Sequence, residues 1–113
     1  MIDKSFVVIN DRAVAQVTFK LPNKIQAAVI TLVGDFNNWD TQVHPLTLHR
    51  SGWWMITVDL EPQRAYQFQY LVDGKIWMND GDADAHVKNI YGSDNSVVIT
   101  DPAYERFSGN NKH

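Results

Sequence analysis

The residues of this chain best suited to chemistry are its indoles and the amides beside them. Four tryptophans occur in 113 residues, and two of them sit among turn-forming residues. Trp39 lies in Gly34-Asp35-Phe36-Asn37-Asn38-Trp39-Asp40, and Trp77 stands between Asp73-Gly74 and Asn79-Asp80-Gly81-Asp82. A flat indole covers the C–H face of a pyranose, and Asn and Gln, each holding donor and acceptor, match its rim of hydroxyls. An indole that hides about 100 Å² against a sugar gains about 2–3 kcal/mol. Two such contacts, less the cost of lost freedom, predict weak binding to a short sugar. A polymer with many repeated sites compensates by rebinding. Spacing alone leaves both tryptophans open between such a platform and a loop folded back over the edge of the domain.

Other chemistries find less support. Asp80, Asp82 and Asp84 alternate like the opening of a calcium loop. However, Ala85 stands where that loop needs Gly and Tyr91 where it needs Glu, so a solvated acidic turn is the better reading. His44, His49 and His86 have no zinc-ligand spacing and read as surface residues. The chain has no cysteine, which excludes disulfides and thiolate sites. Glycoside hydrolysis wants two carboxylates across a cleft, whereas Asp73 and Asp80 fall in turns and Asp59 on the exposed face of a strand. There is no Gly-x-Ser-x-Gly and no phosphate-cradling glycine loop. The chain reads as neither enzyme nor cofactor carrier.

The elements that must carry the indoles are strands. Trp54, Ile56, Val58 and Leu60 form one apolar face of a Trp53–Leu60 strand, which makes Trp54 a core residue. Tyr66, Phe68, Tyr70 and Val72 share a face of the next strand, with Gln67, Gln69 and Leu71 opposite. The turn at residues 61–64 contains Pro62, and Asp73-Gly74 is a short-hairpin signal leading into residues 75–78. Residues 13–21 alternate with Ala15, Val17, Phe19 and Leu21 on one side, and residues 27–33 are a nearly continuous apolar run. Shorter strands are expected at 5–9, 45–48 and 96–100. No window shows sustained helical periodicity. Seven to eight short antiparallel strands with regular turns predict an all-β, immunoglobulin-like β-sandwich over residues 1–101, followed by a polar tail over 102–113.

Hydrophobic residues make up 44% and charged residues 20%, as in an ordinary globular domain. The net charge is −3 and the basic residues are scattered, so neither nucleic acid nor a membrane is an expected partner. No apolar run is long enough to span a bilayer and no leader is visible, so the expected location is cytoplasmic.

Five segments in order carry a resemblance to a known family. They are Val33 to Trp39, Gly52-Trp53-Trp54, Tyr70-Leu71-Val72-Asp73-Gly74, Trp77-Met78-Asn79-Asp80 and Asn95-Ser96-Val97-Val98. Across residues 12–100 the chain resembles carbohydrate-binding module family 48. That family includes the glycogen-binding domain of the AMP-activated protein kinase β subunit and the N-terminal domains of isoamylases and branching enzymes. The resemblance implies an immunoglobulin-like sandwich that binds α-1,4-glucan (glycogen, starch or maltodextrin) without catalysis. It places the two sugar-stacking tryptophans at Trp39 and, with a one-residue insertion in the hairpin, Trp77. A polar sugar-contacting pair falls on Ser93 and Asn95. Two positions depart from the pattern: Tyr91 replaces an aliphatic residue that threads into the curved glucan, and Gln69 replaces a contacting lysine. The alternative is an interaction module that docks on a glucan-metabolising enzyme, for which Trp53 beside Met55 would be the exposed surface.

Overall fold

The computed structural model describes residues 1–104, so the tail from residue 105 onward lies outside the described residues. Nine strands follow in order: β1 (Ile2–Ile9), β2 (Arg12–Pro22), β3 (Ile30–Gly34), β4 (Thr47–Leu48), β5 (Trp53–Leu60), β6 (Ala65–Val72), β7 (Ile76–Met78), β8 (Ala85–Lys88) and β9 (Asp94–Ile99). All pairings are antiparallel, in one sheet ordered β1-β2-β5-β4 and a second ordered β3-β6-β9-β8, with β7 on β6. The two sheets make the expected immunoglobulin-like sandwich. The strand that alternation missed is β8. It is four residues long, and three of them are exposed.

Alternation located the core correctly because each sheet turns one face inward. Ala15, Val17, Phe19 and Leu21 of β2 meet Phe68, Tyr70 and Val72 of β6, with Trp54, Val58 and Leu60 of β5 beside them. Phe19 and Phe68 pack edge-on with ring centres 5.0 Å apart, and Phe68 and Tyr70 at 5.7 Å. These edge-to-face contacts add to what area burial alone provides. Strand β6, like β3 and β9 beside it, is buried on its outer side too, where Gln69 and Leu71 are nearly inaccessible. That face is where the candidate site lies.

Three sequence readings need correction. Strand β3 begins at Ile30, not residue 27, because the Asp73 carboxylate takes the place of a partner strand. Its Oδ1 accepts N–H groups from Ala28 (2.8 Å) and Val29 (3.0 Å). The acidic turn is solvated only at Asp82. Asp80 is 2% exposed, and its Oδ2 accepts a 2.7 Å hydrogen bond from the Tyr70 hydroxyl. Burial, with the Asp80 charge second, pushes the Tyr70 phenol well above its ordinary range. Asp84 meanwhile accepts from Lys4 Nζ and from the Ile99 amide, both at 2.7 Å. Finally, Trp53 and Met55 are half-buried rather than exposed: Trp53 stands opposite Pro22, and Met55 opposite Lys20 and Thr47.

Two outcomes follow from this packing. A Cβ on Gly34 would lie 2.5 Å from the Gln67 carbonyl oxygen and 2.8 Å from Phe68 Cβ. Its φ of −171° is extended, so size alone is the obstacle. Gly34→Ala is expected to lower stability by about 1–3 kcal/mol, read by chemical denaturation, and a neutral effect would contradict the close approach. The Val29 and Ala28 amides also hold the Asp73 carboxyl below its ordinary range. A depressed folded value contributes stability above the unfolded pKa of about 3.9, lost as pH falls through the folded value. Asp73→Asn keeps the left-handed backbone and an acceptor but does not titrate. The wild type's small advantage over it should therefore hold at neutral pH and shrink below about pH 4; a pH-independent difference would refute the assignment.

Candidate functional site

The loop after β3 is built to turn one aromatic in and another out. Asp35–Asn37 forms a single 3₁₀ turn. Phe36 drops against Phe19 (6.0 Å) and Tyr66 (5.9 Å), as its position beside the strand end predicts. Asn37 anchors the turn: its Oδ1 accepts the Gly34 amide, its Nδ2 donates to the Leu32 carbonyl at 3.0 Å, and it lies 2.8 Å from His44 Nδ1. Asn38 and Trp39 then both take left-handed backbone, with φ of 55° and 58°. For Asn that is tolerable, but for Trp it costs about 1–2 kcal/mol. The Trp39 amide donates to the Gly34 carbonyl at 2.9 Å, which holds the reversal, and Trp39 is left half-buried.

Trp77 arrives by a different route. Asp73 and Gly74 both have positive φ (54° and 66°), as primed hairpin turns require. Strand β7 then pairs Trp77 with Leu71, on the same face of the sheet as Gln69. Trp77 is 49% exposed.

Both indoles line one open groove of about 800 Å³ across the outer face of the β6 sheet, together with Gln69, Tyr91, Ser93 and Asn95. All six residues singled out by sequence are thus brought together. Their parts differ, however. Gln69 and Asn95 lie in the floor, 7% and 9% exposed. The Gln69 Nε2 donates to the Asp94 carbonyl (2.6 Å) and to Asn95 Oδ1 (3.0 Å), so only its Oε1 remains to accept from a ligand. Asn95 Nδ2 donates to Gln67 Oε1 at 3.0 Å. Ser93 is exposed at the rim, and Tyr91 stands out at the tip of the β8–β9 loop, 86% exposed.

The groove also contains residues that the motifs did not single out. Asn89 organises the tip. Its Oδ1 accepts the Tyr91 and Ser93 amides (2.9 and 3.3 Å), while its Nδ2 donates to Ser93 Oγ and Asn95 Oδ1. Ile90, beside Tyr91, is 91% exposed. Gln67 was legible, since alternation already placed it on the face of Gln69. Asn79, Asp35 and Lys88 also line the groove but had no signal beyond turn chemistry or position. The lining therefore holds five amide side chains and four ring or aliphatic surfaces (Trp39, Trp77, Ile90 and Tyr91), against one carboxylate and one ammonium. Such a surface suits a neutral, hydroxyl-rich ligand with apolar faces. Among the described residues no cluster of three His, Asp or Glu is placed to hold a metal.

Stretches of this chain resemble known proteins. The chain is 54% identical over 37 residues to a 1,4-alpha-glucan-branching enzyme of Emericella nidulans, a match covering 33% of this chain and 5% of that enzyme. It is 51% identical over 37 residues to the same-named enzyme of Aspergillus oryzae, again 33% of this chain and 5% of the relative. It is 44% identical over 45 residues to the 1,4-alpha-glucan branching enzyme GlgB 1 of Xanthomonas axonopodis, covering 38% of this chain and 6% of that enzyme. The matches thus span about one twentieth of the length of these relatives, and the catalytic domain of a branching enzyme is absent from these 113 residues. The family description of carbohydrate-binding module 48, the isoamylase N-terminal domain, matches residues 8–103, and the chain belongs to that family.

Proposed function

We infer that the groove binds α-1,4-glucan non-catalytically, with Trp39 and Trp77 stacking on glucose rings above a floor of amides. The observation that carries this reading is the convergence of both indoles and all four polar or tip residues on one groove, although they come from four separate stretches of chain. The sandwich core is complete without either ring. The floor amides are held by one another, so they meet a ligand already oriented, which lowers the ordering cost of binding. Ser93, the free lone pairs of Gln69 and the remaining proton of Asn95 Nδ2 are among the groups left to reach hydroxyls. A second reading, association with a glucan-metabolising enzyme, is favoured by the identity of the relatives. It is compatible with the first, since the half-buried Trp53 face lies on the other sheet.

Affinity electrophoresis through glycogen tests the first reading. The wild type should be retarded, and Trp77→Ala should weaken binding by about 2 kcal/mol, roughly thirty-fold, with thermal stability nearly unchanged. No retardation of the wild type, or equal retardation of the folded variant, would rule it out.

A further inference from the structure

We propose that Asp35 is the positioning residue for Trp39, holding the indole as a pre-set platform; this rests on the reading of the groove as a sugar site. A carboxylate in a groove suited to a neutral ligand needs an explanation. Its two oxygens provide one, because both are engaged within the protein. Oδ1 accepts the Trp39 indole Nε1–H at 2.9 Å, and Oδ2 accepts the backbone N–H of Gln67 at 2.7 Å.

The second bond follows from the topology. The β3–β6 ladder ends at the Gly34–Phe68 pair, so β6 continues past it to Gln67 with no strand opposite on that side. The Gln67 amide would lack a ladder partner there, and Asp35 supplies one. The carboxylate is thereby fixed to the sheet that forms the groove floor, and through Gln67 Oε1 that same residue receives Asn95 Nδ2. The first bond then ties the indole to this anchored group. The left-handed backbone at Asn38 and Trp39 sets where the side chain starts, but it leaves rotation about the two side-chain torsions free. A charge-assisted hydrogen bond to the N–H edge restricts those torsions and leaves the ring face unoccupied. Part of the ordering cost of stacking is met before any ligand arrives.

The test uses the wild-type chain with Asp35→Ala, Asp35→Asn and Trp39→Ala, and the double variant Asp35→Ala/Trp39→Ala. The Trp39 indole Nε1–H signal, assigned by its loss in Trp39→Ala, is followed by hydrogen exchange without ligand. Binding is then titrated with maltoheptaose and glycogen. The expected result is faster indole exchange in Asp35→Ala, binding about ten-fold weaker, and no further loss when Trp39 is already Ala. Asp35→Asn, which can accept at only one of its two terminal atoms, should fall between, and it carries the comparison if the Ala variant does not fold. Unchanged indole exchange in Asp35→Ala overturns the proposal. So does an equal loss of binding in the Trp39→Ala background, which would mean that Asp35 acts on the ligand itself. A wild type that binds neither glucan defeats the sugar-site reading instead, and indole exchange still decides whether Asp35 holds the ring.

Discussion

A glutamine side chain lies almost out of reach of water in the middle of β6, and it has to find its hydrogen bonds there. A buried amide left unpaired costs about 1–3 kcal/mol. Gln69 avoids this by donating to Asn95 and to the Asp94 carbonyl. Asn95 in turn takes a bond from Asn89 and gives one to Gln67. Satisfying one buried group therefore fixes the start of β9, the β8–β9 loop and the second glutamine of β6. No buried side-chain polar atom among the described residues lacks a partner. A fully satisfied network of this kind is rigid, and its rigidity makes it usable as the floor of a binding groove.

The division of labour across β6 makes this possible. Its inward residues, Phe68, Tyr70 and Val72, complete the core with β2 and β5, so the outward residues are free to be polar. The loop after β3, the short strand β7 and the β8–β9 loop then supply the aromatic walls. Gly34 is the point where this is decided. The backbone passes so close to Gln67 that no side chain fits, β3 ends, and the chain reverses through two left-handed residues to deliver Trp39. Strain in that reversal is retained because Phe36, Asn37 and the Gly34 carbonyl over-determine it. Backbone strain held at an aromatic facing a groove fits a residue selected for a ligand rather than for packing.

Much of this was legible in the sequence, and the gaps have physical causes. The period of two identified the inner faces of β2, β5 and β6 because burial on one side imposes it directly. It failed for β8, which is short and mostly exposed, and for the start of β3, where a carboxylate substitutes for a neighbouring strand. Asp80 read as a solvated turn residue because the run Asp80-Gly81-Asp82 has that composition. Its burial depends on Tyr70, ten positions away, which no local pattern reveals. Trp39 and Trp77 stood out from their turn-rich settings, the other four site residues came through family resemblance, and the groove gathers all six. The resemblance did not distinguish the residues that face outward, Trp77, Tyr91 and Ser93, from those spent on the floor, Gln69 and Asn95. That distinction is set by long-range hydrogen bonds. Asp35 had only a turn signal, because its second partner, Gln67, is distant in sequence.

The central claim is that one face of this sandwich, and not the other, receives glucan. Mapping chemical-shift changes of indole and side-chain amide signals during a maltoheptaose titration tests it most directly. Changes should concentrate at the Trp39 and Trp77 indoles and the amides of Gln69, Asn89 and Asn95, with the Trp53 and Trp54 indoles unmoved. Changes centred on Trp53, or none at saturating sugar, would contradict it.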